Sequence, residues 1–317
     1  MDRKVLDNSV FDRSRRFYEA EVKPMIHEKF PEAEKRIAVG IAGEGSDCFG
    51  YDDFMSRDHD FGTGVCLWLT DEDYEKYGNL LSILYNELVN KHDANLTERL
   101  MERRGVMTIH SFYSNILNID CDTEHAIITD DDWRRLDHSC LATTVNGEVF
   151  RDELGQFTAY RQALLDYYPD TIWKERIDME LHLFSQAMQV NYARSMTRKD
   201  IVAAEMCRAQ GLNSAMQLYY LLNRTYPPYY KWTFKMMESM EKTGDYAELV
   251  AKLAGAYIDS SKWEGLPYVA DRLNLKDEIV SLTERIATRI ATMMKDKGLV
   301  RYIDPYLEQY VGQLLKN

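Results

Sequence analysis

The spacing of apolar positions along the chain changes character about halfway. Between residues 11 and 29, Phe17, Tyr18, Val22, Met25 and Ile26 recur among charged neighbours at the spacing of one helix face. Residues 36–42, Arg-Ile-Ala-Val-Gly-Ile-Ala, form a short β-like run that ends in a Gly-rich turn, and a polar loop follows over 43–57. Residues 59–69 predict a second strand. Thr70 and Asp73 then make a capping signature ahead of Tyr74, Tyr77, Leu81, Leu84 and Leu88, the buried stripe of a helix. A third strand is expected over 105–112. From about residue 158 onward β signals vanish and helical periods dominate, over 172–195, 200–223 and 276–297. The last repeats Ile279, Leu282, Ile286 and Ile290, with Gly298 placed to stop it, and Pro227-Pro228 breaks the chain between helices. The pattern predicts an α+β protein of α/β type. A small mixed sheet with helices fills residues 1–150 and an all-α helical bundle fills 151–317, with the junction at 145–157.

Composition narrows the classes. The chain has 317 residues, 45% hydrophobic and 29% charged, enough for a real core. Its 39 basic and 52 acidic residues give a net charge of −13, which argues against a protein that coats nucleic acid with a basic face. The five cysteines, Cys48, Cys66, Cys121, Cys140 and Cys207, are widely spaced with no C-x-x-C pair. Reduced thiols and a cytoplasmic location are expected. Residues 1–10 are polar, unlike a secretory signal, and no apolar run reaches the roughly 18 residues of a membrane span.

The chemistry concentrates in residues 40–65. The first strand leads into Gly43-Glu44-Gly45-Ser46, and Asp58-His59-Asp60 enters the second. Glycines let a backbone turn tightly and approach a ligand, and a serine on such a turn can offer its hydroxyl and nearby amides to phosphate oxygens. Residues i and i+2 on a strand share a face, so Asp58 and Asp60 would present paired carboxylates to a hard cation. There is no P-loop motif, Cys48 stands where a dinucleotide fingerprint needs its third glycine, and Ser46 is not in a nucleophile elbow. The pair His59-Asp60 suggests a phosphohydrolase only weakly, because His27, His92, His110, His125, His138 and His182 are scattered without metal spacing.

The strand-borne Gly-Ser, a spacer, then Asp-x-Asp resembles the DNA polymerase β-like nucleotidyltransferase superfamily. The fuller run Gly43-Glu44-Gly45-Ser46, Gly50-Tyr51-Asp52-Asp53 and Ser56-Arg57-Asp58-His59-Asp60-Phe61-Gly62 resembles the uncharacterised DUF4037 group of that superfamily, as do residues 147–161 and 224–232. The resemblance implies a catalytic sheet domain and a helical domain that clamps nucleotide or substrate. Gly45 and Ser46 would hold the triphosphate of ATP or another nucleoside triphosphate, and Asp58 and Asp60 would bind Mg²⁺ or Mn²⁺. A nucleoside monophosphate, from ATP by this reading AMP, would pass to a small-molecule acceptor and release pyrophosphate. The superfamily also places a third carboxylate on a following strand, but 105–112 carries none. Asp120, Asp122 or Asp152 could supply the acid, His110 could act as base, or the protein could be a degenerate nucleotide-binding regulator.

Plainer roles stand beside these. Asp58 and Asp60 could belong to a solvated acidic loop, and Ser46 could cap a helix. Asp52 and Asp53 could order the loop. Arg57 could reach phosphate or form a surface ion pair. Asp152 fits a turn or cap acid, and His110 a structural histidine. Arg224, Tyr230, Lys231 and Trp232 form an aromatic-rich cluster that fits a core, from which Lys231 could instead reach the triphosphate. Arg194, Arg198 and Lys199 fit solvated helix-end charge or a phosphate contact. Met236, Met237 and Met240 fit core filling.

Overall fold

Four short strands make one mixed sheet among the residues that the computed structural model describes, which are 9–51, 63–92, 103–242, 244–270 and 272–314. The strands are β1 (Ala38–Ile41), β2 (Cys66–Leu69), β3 (Gly105–Thr108) and β4 (Glu148–Arg151), in the order β3-β2-β1-β4. β1 runs antiparallel to both β2 and β4, while β2 and β3 are parallel in the register Cys66 to Gly105. β1 and β2 are buried at every position, as expected where both faces of a sheet are covered.

Alternation along β2 sorts the two cores. Leu67 and Leu69 face one cluster with Val39, Tyr18, Ile26 and Leu81. The helices on that side are α1 (Val10–Phe17), α2 (Lys23–Lys29) and α3 (Asn79–His92), with a π-helical turn over Tyr18–Val22 joining the first two. Trp68 points the other way. It stacks on Phe157 with ring centroids 3.9 Å apart and meets Phe112 edge-on at 5.4 Å. Phe157 belongs to α7 (Gln156–Leu165), which follows α4 (Ile109–Leu117), α5 (Asp130–Arg135) and α6 (His138–Thr144).

The expected strand over 105–112 is divided. It remains a strand only to Thr108, and α4 begins at Ile109. Thr108 accepts from the Ser111 N–H at 2.9 Å, while Ser111 Oγ accepts from the Thr108 N–H at 3.1 Å, a reciprocal capping box that starts a helix inside a run of β-favouring residues. His110 therefore sits in the first helical turn.

The chain divides into two compact units, Met1–Tyr167 and Tyr168–Asn317. α7 belongs to the first, held by the Trp68–Phe157 stack. The second is helical: α8 (Asp170–Phe184), α9 (Tyr192–Thr197), α10 (Ile201–Leu222), α11 (Tyr230–Met240), α12 (Tyr246–Gly255) and α13 (Glu278–Asp296). Its core pairs α8 with α10 and α12 with α13. Asp277, 2% exposed, caps α13 and accepts from Trp263 Nε1 at 2.6 Å and Tyr192 Oη at 3.2 Å. The fold is thus α+β, a mixed four-stranded sheet with helices followed by a largely helical region. No helix among the described residues is long and apolar enough to cross a membrane. All five cysteines are free.

Candidate functional site

The Gly-rich turn leaves β1 at Ala42 and is built to hold one shape. Gly43 and Gly45 have φ of 105° and 120°, a region closed to most side chains. Ser46 then enters a 3₁₀ turn, Asp47–Phe49, without capping it through its side chain. Asn146, buried, grips Gly43 from both sides. Its Oδ1 accepts from the Gly43 N–H and its Nδ2 donates to the Gly43 carbonyl, each at 2.8 Å. The next residue adds a third tie, with Gly147 N donating to the Cys48 carbonyl at 3.0 Å. A Cβ on Gly147 would lie 1.9 Å from the Ile41 carbonyl oxygen, so this close approach requires glycine. Asn146 is itself positioned by Arg161 of α7, which donates to the carbonyls of Thr144, Val145 and Asn146 at 3.3, 2.6 and 2.9 Å.

A buried cation lies under the turn. Arg104 Nη2 donates to Asp47 Oδ2 and to Cys48 Sγ, both at 3.1 Å, with both side chains of the Arg104–Asp47 ion pair largely removed from water. Asp47 Oδ1 also accepts from the Cys48 N–H at 2.8 Å. Burial pushes the Cys48 thiol up to about 12 against the opposing charge of Arg104, and raises Cys66 for the same reason. Both thiols are therefore protonated at neutral pH and are poor nucleophiles. Beside them Arg103 Nε donates to Glu44 Oε2 at 3.2 Å, which brings a second guanidinium to the turn.

A cavity of about 740 Å³ opens next to this ion pair. Gly43, Glu44 and Arg103 line it together with Ser82, Asn86 and Asn115. Its size is within the roughly 300–1,000 Å³ of small-molecule sites.

The other expected site residues are distributed as follows. Asp58, Asp60 and Arg57 lie outside the described residues, with His59, Asp52 and Asp53. His110 Nε2 lies 2.8 Å from Asp120 Oδ1, both partly or fully open to solvent. Asp152 is occupied locally. Its Oδ1 accepts from Gly155 N at 2.9 Å, and its Oδ2 accepts from Thr158 N and Oγ1, both at 2.8 Å, which fastens the start of α7. Asp122 pairs with His125, whose backbone and ring hydrogen bonds hold the carboxyl below its ordinary value. Lys231 belongs to the second unit, exposed, with Nζ 5.1 Å from the centre of the Trp232 ring. In that unit Arg224 covers Trp173 at 4.0 Å, Arg194 covers Tyr268 at 5.3 Å, and Met237 is buried. Among the described residues no group of three or more His, Cys, Asp or Glu could hold a metal ion.

Sequence reasoning did not single out Asn146, Arg161, Arg103 or Arg104. Asn146-Gly147 carried a turn signal, and Arg103-Arg104-Gly105 a basic pair at a strand start, but neither dipeptide announces a partner so distant in sequence.

Residues 133–233 match the model of a family described as a domain of unknown function, DUF4037. The match spans α5 to the first turn of α11 and includes Asn146, Asp152 and Arg161, which secure the turn or α7. No curated protein and no solved structure matches the chain.

Proposed function

We propose that the chain is a metal-dependent nucleotidyltransferase of the DNA polymerase β-like type, which binds ATP or another nucleoside triphosphate and transfers its nucleoside monophosphate to a small-molecule acceptor. The observation that carries this reading is the Gly43–Ser46 turn at the end of β1, fixed by Asn146 at Gly43 and by Gly147 and the buried Arg104 at Asp47 and Cys48, which follow it. A turn of this kind meets phosphate with backbone amides and a hydroxyl whose orientation is set before the ligand arrives, so little is lost in ordering it. Gly45 and Ser46 bind the triphosphate in this reading. The sequence spacing assigns Mg²⁺ or Mn²⁺ to Asp58 and Asp60. Their carboxylate oxygens suit hard cations, which supply charge neutralisation and alignment of the phosphates when bound.

The reaction forms a bond from an acceptor oxygen to the α-phosphorus. The bond to the bridging oxygen breaks and pyrophosphate leaves. The acceptor proton needs a base. With both oxygens of Asp152 committed to α7, the base falls to the His110–Asp120 pair, in which a carboxylate on Nε2–H leaves Nδ1 able to accept. The acceptor is small in this reading, since a chain of net charge −13 repels a polyanion.

The test uses ATP labelled at the α-phosphate, Mg²⁺ and the full chain, reading label transfer and pyrophosphate release. Asp58→Asn and Asp60→Asn are each expected to lower transfer about 100-fold or more with the fold intact. Full activity in either variant would overturn the assignment. The engaged state of Asp152 also favours a second reading, a nucleotide-binding regulator without turnover. Calorimetric binding of ATP with Mg²⁺ but no pyrophosphate from any acceptor would select it.

A further inference from the structure

The cavity beside the turn has lining residues that nucleotide binding leaves unexplained. α3 and α4 each contribute a serine and an asparagine four residues apart, Ser82 with Asn86 and Ser111 with Asn115. Four residues is the repeat that stacks side chains on one helix face, so both helices present the same polar pair to the same space. Ser111 is spent on the capping box. None of Ser82, Asn86 and Asn115 makes a side-chain hydrogen bond to another described residue, although all three line the cavity. β3 contacts both helices and is an edge strand of the sheet among the described residues. Gly105 N donates to the Val65 carbonyl at 2.9 Å, so the alternation of the ladder turns the N–H and C=O of Val106 away from β2, toward the cavity that Val106 lines. Apolar walls come from Phe112 and Ile116.

Each guanidinium among the described lining residues has a carboxylate partner. Arg103 is bonded to Glu44, and Arg104 to Asp47. The other described lining residues bring neutral groups: two amides and a hydroxyl, each able to donate and accept, one strand edge, and an apolar wall. An asparagine amide sets a donor beside an acceptor, which matches two adjacent hydroxyls, while the C–H face of a ring fits against apolar side chains.

We infer that this cavity binds an uncharged ligand bearing a vicinal diol on a saturated ring, the chemistry of a free saccharide or of a nucleoside's ribose. Asn86 and Asn115 grip the diol from opposite helices, and the Val106 edge supplies the remaining hydrogen bonds. The inference stands without the transfer reaction.

The experiment is ligand-observed saturation-transfer NMR on the full chain, without nucleoside triphosphate or metal, using methyl α-D-glucopyranoside, sucrose and adenosine as probes. At least one probe is expected to bind the parent chain, and Asn86→Ala and Asn115→Ala each to weaken it about fivefold or more, one hydrogen bond's worth. Response to the saccharides identifies a free sugar as the source of the diol, and response to adenosine alone a nucleoside. Neither asparagine supports another described residue, so far-UV circular dichroism of both variants should match the parent. The inference is overturned if no probe binds, or if the Asn86→Ala, Asn115→Ala double variant binds as well as the parent. The assay holds neither nucleoside triphosphate nor metal, which keeps this result separate from the fate of the transferase assignment.

Discussion

Asn146 determines the shape of the Gly43 turn more directly than any residue within the turn. Its amide takes the place of a neighbouring strand, pairing both the N–H and the C=O of one buried residue. Asn146→Ala would leave two buried backbone groups unpaired, at about 1–3 kcal/mol each, so a loss of roughly 2–6 kcal/mol is expected in urea unfolding of the full chain. Asn146→Asp keeps the acceptor but sets a buried carboxylate oxygen against the Gly43 carbonyl, and should also be less stable than the parent. An unchanged midpoint in the alanine variant would mean that the clamp is unimportant. Asp152 calls for the opposite comparison. Its carboxylate takes three hydrogen bonds at the start of α7, so Asp152→Ala should cost about 1–2 kcal/mol. Because those bonds occupy both oxygens, the affinity for ATP with Mg²⁺ should be unchanged by calorimetry. A large loss of affinity with little loss of stability would return Asp152 to the functional site.

At the scale of elements, the β3–α4 junction depends on two hydroxyls. Thr108→Val keeps the side-chain shape and β propensity but removes the capping box. It should destabilise the chain by about 1 kcal/mol, measurable as lowered hydrogen-exchange protection in the first turn of α4. Unchanged protection at Ile109 to Phe112 would show that packing alone starts this helix. The junction also explains what the sequence could and could not reveal. Long periodic segments were legible: α10 and α13 lie within the expected 200–223 and 276–297, and β1 within 36–42, because a sustained apolar period has one reading. The run 105–112 was read as all strand because its residue types favour β structure, and the Thr108–Ser111 reciprocity outweighs that preference at one point. β4 escaped notice because it is four residues long and only half covered. In the site, the turn glycines were legible from local geometry alone. Asn146 and Arg161 were not, since their partners are fixed by tertiary placement and no periodic signal links position 43 to position 146.

Across the whole molecule, the carboxylates that burial raises fall in the second unit, which also holds the lowered Asp245 and Asp259. In the first, carboxylates are held low. Burial pushes Asp73 up, but Arg36 and Thr70 outweigh it, and the hydrogen bond from Thr129 lowers Asp132. Such groups give stability that is present above their ordinary value of 3.8 and is lost as pH falls through the lower folded value. In the second unit burial raises Asp178, Glu180 and Glu284. These have the opposite sign: the folded state holds the proton more tightly, and stability present below the ordinary value is lost as pH rises through the folded one. Between pH 4.5 and 7, therefore, the raised set acts while the lowered set is already ionised in both states. The exposed His125 is raised by Asp122, but water screens the pair. Glu180 is the sharpest probe. It is 6% exposed on α8, against Ser214 of α10 and with Arg176 one turn away, and its Oε2 has no hydrogen-bond partner. The protection of α8 amides, corrected for intrinsic exchange rates, should be higher at pH 5 than at pH 7. Glu180→Gln, neutral throughout and still able to meet Ser214, should raise the thermal midpoint at pH 7 by about 2 °C and change it less at pH 5. His182 on the same helix, 2.8 Å from Glu308, is common to both proteins and drops out of the comparison. If the variant and the parent show the same pH dependence, the carboxyl of Glu180 is solvated in a way that its burial between α8 and α10 does not permit.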